Sequence, residues 1–383
     1  MKHRIVVLGA GYAGIHAAGR LARRLHPAGT EIILVNAEAE FVQRIRMHQV
    51  ATGQPVARRP LRDVLAGTGV TLRQARVAAV DADSRTVTCT DGSTINFDTL
   101  VYALGSTATT DGHHIAGEQG AFRVRDRLGE LTAGETVLVV GGGLTGIEAV
   151  TEIAESRPDL DVRIAVRGGF GDWLGDRART HLHGTAARLG ITVHEHTDVA
   201  VLSSATPPAA LSDIADPAAA DLTVWTTGFG AHPIAAASGL AVTDGRIVVD
   251  ETMRSVSHPH VYAVGDAAYA PGPGGKPLRM SCASGTPMAW LAADAVAARL
   301  TGGSLPRNTI RYYAQCISLG RRDGIIQLVT ADDQATPKAI TGRPAARIKE
   351  LICAGAAWNI AHPTMLLPTR RHHLTAFPSS IPA

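Results

Sequence analysis

The sequence predicts an α/β fold with two parallel sheets, because two glycine-rich turns each follow an apolar strand and precede a helix. The turns are Gly9-x-Gly11-x-x-Gly14 in RIVVLGAGYAGIHAA and Gly141-x-Gly143-x-x-Gly146 in TVLVVGGGLTGIEA. Each half later contains another apolar strand that ends in glycine, in DTLVYALGS (98–106) and DLTVWTTGF (221–229). Strand, glycine turn and helix in this order form a dinucleotide-binding unit. We therefore expect two Rossmann-like dinucleotide-binding domains and a small C-terminal region.

Length, charge and cysteine content narrow the class of protein. The chain has 383 residues, more than one hydrophobic core usually contains, and a net charge of +3 gives no basic excess for a nucleic acid. The four cysteines form no C-x-x-C or C-x₄-C pair, which suits a reducing compartment. No apolar run approaches the length of a membrane span. We expect a cytoplasmic protein without a nucleic-acid partner.

The first half begins with a βαβ unit. A strand at Arg4–Leu8 leads through the glycine turn into a helix ending near Leu25 and a strand at Glu31–Asn36. The segment Phe41–Gly53 predicts a short helix, and alternating strands follow from 75 to 101. A polar, glycine-bearing linker at 106–120 comes next.

The second half repeats this plan. We expect a strand at Thr136–Val140, a helix to Ser156 and a strand at Asp161–Val166, with an Ala/Pro-rich loop at 203–220. Later elements are strands within 247–270, a helix at Pro287–Leu300, a strand at 325–329 and a helix from Pro344 to Ile360.

The first turn has the chemistry of a pyrophosphate site. Gly9 permits the tight turn, Gly11 permits close approach of the diphosphate, and Gly14 permits close packing of helix and strand. The helix N-terminus adds positive partial charge. A ribose partner is expected at the end of the next strand, where the sequence offers Asn36 or Glu38.

The second glycine turn also lies between an apolar strand and a helix. The strand that follows this helix ends next to Arg167, however, rather than at an acid. An arginine at this place pairs with a 2′-phosphate, which favours NADPH over NADH. The alternative is that Arg167 is a solvated surface charge.

The segment VYAVGDAA (261–268) resembles a flavin-domain signature, in which the Asp of a Gly-Asp pair, here Gly265-Asp266, binds the ribityl chain and diphosphate. With the two glycine turns, it gives a resemblance to the two-dinucleotide-binding-domain flavoproteins (pyridine nucleotide–disulfide oxidoreductase superfamily). The resemblance is strongest to the type II NADH:quinone dehydrogenase and apoptosis-inducing-factor-like branch. It covers residues 1 to about 300; SLGRRDGIIQ (318–327) and AARIKEL (345–351) extend it more weakly into the tail.

The resemblance implies FAD and NAD(P)H as cofactors and a discontinuous FAD domain into which the NAD(P) domain is inserted. The expected boundaries are 1–120 and 241–302 for the FAD domain, 121–240 for the NAD(P) domain and 303–383 for the C-terminal region.

The resemblance also implies site residues. His48 and Arg44 are candidate flavin neighbours, with a packed histidine and a surface arginine as alternatives. Glu148 corresponds to an acid near the flavin–nicotinamide contact, and its alternative is an ordinary Glu favoured by the helix dipole. The other residues implied to bind cofactor are Ala10, Ala13, Val77, Ala103, Leu104 and Gly105 for FAD, and Leu144, Thr145 and Gly228 for the nicotinamide nucleotide.

Two departures from the family pattern bear on the acceptor. The C-x₄-C pair of the disulfide reductases is replaced by FVQRIRMHQ, so no dithiol relay exists there. In CASGTPMAW (282–290), Thr286 is expected to cap a helix and Pro287 to begin it, with the helix N-terminus directed at the flavin. The Ala-Gln-x-Ala-x-Gln-like segment of the quinone dehydrogenases is absent here.

The sequence thus predicts an FAD-dependent NAD(P)H dehydrogenase that passes electrons to a quinone or similar small molecule. Two alternatives stay open: an oxidoreductase acting on a specialised metabolite, and a nicotinamide-sensing flavoprotein with slow turnover. No metal site is expected, because no Cys or carboxylate cluster completes the histidine pairs. The tail, with apolar residues at 348, 351, 352 and 355, predicts a helix that packs on the flavin domain or on a second copy in a homodimer, or one that contacts a membrane surface.

Overall fold

The structure, a computed structural model, describes residues 1–109, 112–197, 220–364 and 371–375. Within them the strands are, in chain order, β1 (His3–Leu8), β2 (Thr30–Asn36), β3 (Glu40–Phe41), β4 (Arg59–Pro60), β5 (Val70–Gln74), β6 (Val77–Asp81), β7 (Thr86–Cys89), β8 (Thr94–Asn96), β9 (Thr99–Tyr102), β10 (Ser106–Ala108), β11 (Thr136–Val140), β12 (Asp161–Ala165), β13 (Thr192–His194), β14 (Leu222–Trp225), β15 (Phe229–Ala231), β16 (Val242–Thr243), β17 (Arg246–Val248), β18 (Val261–Ala263), β19 (Ala268–Tyr269), β20 (Ala314–Ser318), β21 (Gly324–Val329) and β22 (Ala335–Thr341). The predicted loop at 203–220 falls almost entirely outside the described residues.

α-Helices separate most successive strands from β1 to β5 and all from β10 to β13, whereas β5–β10 and β14–β19 follow one another without an α-helix. Their bounds are α1 (Tyr12–Arg24), α2 (Met47–Ala51), α3 (Leu61–Leu65), α4 (Glu118–Glu130), α5 (Leu144–Ser156), α6 (Asp176–Arg188), α7 (Cys282–Thr301) and α8 (Arg343–Ala361).

The first sheet has five parallel strands in the order β5–β2–β1–β9–β18. Its central strand, β1, is apolar from Ile5 to Leu8, and these four residues are completely buried. Such continuous apolar strands are typical of a parallel sheet covered on both faces. On one face, α1 packs against α7. Because β18 pairs with β9, the chain returns to this sheet after it has formed the second one.

The second sheet is also parallel, in the order β13–β12–β11–β14. It has its own core, so the two sheets are separate packing units. We propose that they define the two dinucleotide domains at the boundaries given above. Where the chain passes between the sheets, β10 pairs antiparallel with β15.

The C-terminal region forms an antiparallel sheet, β20–β21–β22, on which α8 packs. The turn between β20 and β21 carries Asp323, whose carboxylate accepts hydrogen bonds from two residues of α6. Asp323 Oδ1 lies 2.7 Å from His181 Nε2, and Asp323 Oδ2 lies 2.7 Å from Arg188 Nη2. These contacts attach the C-terminal sheet to the second unit. The sequence predicted only β21 and α8 here and missed β20 and β22.

The helix predicted over Phe41–Gly53 is wrong in extent. Phe41 pairs with Arg59 in the β3–β4 ladder, so its backbone is extended. A 3₁₀ turn at Arg44–Arg46 follows, and the α-helix itself is only Met47–Ala51.

The predicted start of the long helix at Pro287 is also wrong. The helix begins at Cys282, with Ser281 in the N-cap position, so Thr286 caps nothing and Pro287 lies inside the second turn. There the proline has no N–H to donate to the carbonyl of Ala283, and its ring lies against that carbonyl. Ser284 Oγ, in the first turn of this helix, donates to the carbonyl of Arg279 at 2.5 Å.

Candidate functional site

A cleft of about 1010 Å³ opens at the carboxyl ends of the strands of the first sheet. This is where open parallel sheets bind ligands. The predicted site residues that line it are Gly9, Ala10, Gly11, Ala13, Asn36, Glu38, Arg44, His48, Val77, Ala103, Leu104, Gly105, Leu144, Thr145, Glu148, Gly265, Asp266 and Thr286. The structure thus brings together residues from both predicted cofactor sites.

Other predicted residues lie outside this lining. Gly14 lies beneath the first turn, and Pro287 lies within α7. The remaining ones belong to the second unit and surround its own glycine turn and strand ends: Gly141, Gly143, Gly146, Arg167 and Gly228.

The first glycine turn has the shape that a diphosphate requires. Gly9 has φ of +94°, and an added Cβ would collide there with the carbonyl of Ala103. A Cβ on Gly14 would collide with the carbonyl of Gly9, so this glycine sets the spacing of strand and helix. By contrast, a Cβ on Gly11 would meet no atom within 4 Å. The open space at Gly11, at the N-terminus of α1, fits a pyrophosphate.

Asn36 supports this turn rather than facing the cleft freely. Its Oδ1 accepts a hydrogen bond from the amide of Ala10 at 2.8 Å, and its Nδ2 donates to the carbonyl of Glu38 at 2.9 Å. Glu38 is exposed, lines the cleft and pairs with Arg76 at 3.2 Å. Of the two predicted ribose partners, Glu38 therefore has the carboxylate available for a diol.

A chain of hydrogen bonds connects three distant segments on the cleft wall. Arg44 Nη1 donates to the carbonyl of Ser106 at 2.8 Å, and Ser106 Oγ donates to Asp266 Oδ2 at 2.7 Å. Arg44 is therefore not a free surface arginine. Through Ser106 it is connected to Asp266, the residue that the resemblance assigns to FAD.

The second glycine turn repeats the geometry of the first. At Gly141, with φ of +124°, a Cβ would lie 2.6 Å from Thr227 Cγ2, whereas at Gly143 it would meet nothing within 4 Å. Arg167 is exposed, and no described residue forms a side-chain hydrogen bond or ion pair with it. It is therefore free to bind an anion. Gly228 has a different role. Its carbonyl accepts a hydrogen bond from the amide of Thr109 at 2.9 Å, beside the β10–β15 pair where the chain passes between the two sheets.

The floor of the cleft contains a buried cluster from three parts of the chain. Glu148 on α5 pairs through Oε1 with Lys349 Nζ on α8 at 2.9 Å and accepts the amide hydrogen of Ser318 at 3.0 Å. His48 Nδ1 on α2 lies 3.7 Å from Glu148 Oε2. Glu148 is 9% exposed and lies in the second helical turn, so it is not an ordinary surface Glu.

Burial and pairing set the charges of this cluster. Burial alone would raise the pKa of Glu148, but Lys349 and His48 hold this pKa below its usual value. Burial would lower the pKa of Lys349, and the Glu148 carboxylate raises it instead. Burial lowers the pKa of His48 to about 4. At neutral pH the cluster is an ion pair beside a neutral imidazole.

Sequence reasoning missed Lys349, although the quoted AARIKEL contains it. The buried stripe of α8 is Ala345, Cys353, Ala357 and Ile360, and Lys349 lies within it at four-residue spacing. That spacing is the signal that could have identified a lysine directed inwards.

The sequence analysis also did not assign several other lining residues. Tyr12, whose buried hydroxyl has no hydrogen-bond partner among the described residues, borders the cleft, as do His16, Cys316 and Cys353. Cys282 lines the cleft too and is exposed there, and the surrounding protein and Asp266 raise the pKa of its thiol. All four cysteines are free, and no group of three or more His, Cys, Asp or Glu in the described residues could hold a metal ion.

These features define a flavoprotein of the two-dinucleotide-domain class: two glycine turns, two parallel sheets and one shared cleft. The family model for pyridine nucleotide-disulphide oxidoreductases matches residues 3–297, and the chain belongs to this family. It is accordingly an oxidoreductase that uses FAD and a nicotinamide nucleotide, and the open spaces at both turns fit these cofactors.

Individual relatives refine the comparison. An NADH dehydrogenase-like protein of Mycobacterium tuberculosis is 32% identical over 346 residues, which cover 83% of this chain and 86% of that protein. A type II NADH:quinone oxidoreductase of Staphylococcus aureus is 22% identical, with 94% and 96% of the two chains covered. The solved sulfide:quinone oxidoreductase of Aquifex aeolicus has the same fold, with a TM-score of 0.76, 16% identity and coverage of 95% and 93%.

The two glycines of the first turn should respond differently to alanine. Gly14→Ala should lower the free energy of unfolding by about 2–3 kcal/mol, because the methyl group collides with backbone. Gly11→Ala should leave apoprotein stability within about 0.5 kcal/mol but weaken FAD binding tenfold or more, since its methyl group occupies the diphosphate space. Urea unfolding of the apoproteins and fluorescence titration with FAD measure both effects. Equal destabilisation by both substitutions would contradict this assignment.

The buried histidines should make stability depend on pH. Burial lowers the pKa of His16 and of His48 from 6.5 to about 4, so each contributes stability above pH 6.5 that is lost as the pH falls towards 4. Between pH 7 and 5, each should cost about 2 kcal/mol of unfolding free energy. His16→Gln should therefore reduce this loss, and the exposed His373→Gln serves as the control. Urea unfolding at both pH values tests this, and an unchanged slope in His16→Gln refutes it.

Proposed function

We propose that the protein is an FAD-dependent NAD(P)H dehydrogenase that passes electrons to a quinone or a similar conjugated small molecule. The observation that carries this proposal is the buried Glu148–Lys349 pair beside neutral His48, in a cleft that both glycine turns border. Relatives named as NADH dehydrogenase-like protein and type II NADH:quinone oxidoreductase support it.

When bound, the flavin would accept a hydride equivalent from the nicotinamide and pass two electrons to the acceptor. The residues of this chain supply position and charge. Gly11 at the N-terminus of α1 would bind the diphosphate, Glu38 the ribose, and Asp266, connected to Arg44 through Ser106, the ribityl–diphosphate region. The N-terminus of α7 borders the cleft and would favour negative charge near it.

The ion pair would act as a fixed charge arrangement at the acceptor end of the cleft. Lys349 Nζ already donates to Glu148 and to the carbonyl of Cys316, at 2.9 Å each, so its position is well determined. Neutral His48 carries one N–H donor and one acceptor nitrogen, so its ring can donate one hydrogen bond and accept another. We assign the positioning of the acceptor to Lys349 and Glu148, and proton exchange with it to His48.

The outer face of α8 suggests how a lipid-soluble acceptor would enter. Ile352 and Ala356 line the cleft, while Leu351 and Trp358 on the same helix are 72% and 42% exposed. No helix within the described residues has the length and apolarity to cross a bilayer. We propose that this face contacts a membrane surface; a second copy of the chain is the alternative occupant. Vesicle flotation and sedimentation of the protein alone distinguish them.

The nicotinamide preference should depend on Arg167. We expect a higher kcat/KM for NADPH than for NADH, because the Arg167 guanidinium, which pairs with no side chain in the described part of the chain, can bind a 2′-phosphate. Arg167→Ala should lower the NADPH-to-NADH ratio about tenfold or more, while the exposed Arg177→Ala on α6 should not change it. Stopped-flow flavin reduction with each nucleotide measures the ratio. A preference for NADH that the substitution leaves unchanged would overturn the assignment.

The proposed role of Glu148 and Lys349 in positioning the acceptor can be tested by measuring reduction by NAD(P)H and oxidation by the acceptor separately. Glu148→Gln leaves Lys349 buried without its carboxylate partner, so oxidation of the reduced protein by a short-chain quinone should slow by about 10–100-fold. The preceding reduction by NAD(P)H should change less. Rapid-mixing absorbance at the flavin band follows both steps.

The same experiment includes an acceptor panel and Glu130→Gln, an exposed Glu on α4, as control. If specialised metabolites are turned over but quinones are not, the first alternative replaces the proposal. If the protein is reduced but no acceptor oxidises it, the slow-turnover alternative does so.

A further inference from the structure

A half-buried tryptophan, Trp173, lies against the second glycine turn, and the proposed mechanism gives it no role. It belongs to the segment 166–175, which connects β12 to α6. Its indole Nε1 donates a hydrogen bond to the carbonyl oxygen of Gly142 at 3.2 Å. Gly142 is the residue between the first two glycines of the turn. The indole is therefore held beside the place where the diphosphate of a nicotinamide nucleotide would bind.

The end of β12 approaches the same peptide. A Cβ built on Gly142 would lie 2.8 Å from Val166 Cγ1, and Arg167 follows Val166 directly. In a dinucleotide-binding unit, the ribose of the adenosine half lies at the end of this strand, beside the residue that contacts its 2′ position. Adenine is attached to C1′, the carbon next to C2′. With the 2′ position at Arg167, as proposed above, the base lies in the neighbourhood that Trp173 borders.

The other aromatic ring of this segment is not available to a ligand. Phe170 is completely buried, and its ring packs edge-on against His183 with the ring centroids 5.5 Å apart. Trp173, in contrast, keeps part of its surface accessible. A tryptophan whose N–H is already bonded can offer its remaining ring surface to a flat ligand. Of the two aromatic side chains in residues 166–175, Trp173 is the one that a base can reach.

The backbone next to Trp173 is held by carboxylates of the protein. The amide of Gly169 donates to Asp172 Oδ2 at 3.1 Å, and the amide of Phe170 donates to Glu195 Oε1 at 2.6 Å. These two amides are occupied, so they offer no donor to a 2′-phosphate. The same bonds give the segment its shape before a ligand binds, which lowers the entropy cost of binding.

We infer that Trp173 is the adenine-binding residue of the nicotinamide nucleotide site. The accessible surface of the indole stacks on the adenine ring, while the N–H bonded to Gly142 keeps the indole beside the turn. Stacking recognises the flat face of the base and not the ribose, so Trp173 binds the adenosine halves of NADH and NADPH equally. Discrimination between them stays with Arg167. The inference rests on the nicotinamide-nucleotide part of the proposed function and is independent of the acceptor.

The first test is a fluorescence titration of the FAD-loaded holoprotein with NAD⁺ and with ADP-ribose. Neither compound absorbs where tryptophan emits, so a loss of emission reports contact with a tryptophan. We expect saturable quenching in the wild type. Trp173→Phe should lose most of this quenching and still bind ADP-ribose within about threefold of wild type, since phenylalanine keeps a ring for stacking. The matched control, Trp225→Phe, removes the other tryptophan of the second unit and should keep the quenching.

Calorimetric titration separates the base from the 2′-phosphate. Trp173→Leu should raise the Kd of ADP-ribose and of 2′-phospho-ADP-ribose by the same factor, about tenfold or more, because both ligands lose the stacking contact. Arg167→Ala should raise only the Kd of the 2′-phosphorylated ligand. In flavin reduction by NAD(P)H, Trp173→Leu should raise the KM, while the rate at saturating nucleotide stays within about twofold of wild type.

The outcomes separate this inference from the proposed function. If ADP-ribose binds without quenching, or if Trp173→Leu binds it as the wild type does, adenine lies elsewhere and the inference is overturned. Tighter binding by Trp173→Leu would also overturn it, because the indole would then cover the site. If Trp173→Leu proves unstable, the quenching in Trp173→Phe decides. If no quinone oxidises the wild type, the proposed acceptor is wrong, whereas quenching that depends on Trp173 still supports the adenine assignment.

Discussion

The buried ion pair between Glu148 and Lys349 is the interaction on which the rest of the site depends. It joins α5, which follows the second glycine turn, to α8, which belongs to the C-terminal region, and it lies against α2 of the first unit. Removal of one member of a buried pair leaves an uncompensated charge and typically costs about 3–5 kcal/mol. The relative positions of three separate units are therefore coupled to one electrostatic requirement. The C-terminal helix α8 therefore has two roles: it forms part of the cleft wall, and its Lys349 compensates the charge of Glu148 in the second unit.

The two glycine turns have the same pattern of crowded and open glycine positions in the two units. In both, the first and third glycines are required because a side chain would collide with neighbouring atoms, and the middle glycine opens onto empty space. Their surroundings differ. The first turn is supported by Asn36, whereas the corresponding strand of the second unit is followed by the exposed Arg167. Similar backbone geometry at the two turns therefore does not by itself determine which dinucleotide binds.

Local patterns predicted the strands and glycine turns well, because a parallel strand, its turn and its helix are encoded within about 30 residues. One helix boundary failed because Phe41 pairs with Arg59, a partner outside the predicted segment. The start of α7 failed because Thr286 and Pro287 suit a helix start, while Ser281 is the N-cap residue in the structure. The cleft residues Arg44, Glu148 and Asp266 were identified through the family resemblance, not through spacing. Lys349 and Trp173 were not identified, since their partners become neighbours only in the folded chain.

The short ribbon of β10 and β15 has a consequence for how such a chain could arise. The segment that leaves the first unit and the segment that returns to it are hydrogen-bonded to each other, from Ser106–Ala231 to Ala108–Phe229. Both ends of the second unit are thus adjacent. A domain inserted into another domain needs adjacent ends, so that the strands of the host sheet can still pair. An ancestral nucleotide-binding unit could have been duplicated into its own sequence at this point without unthreading the host fold.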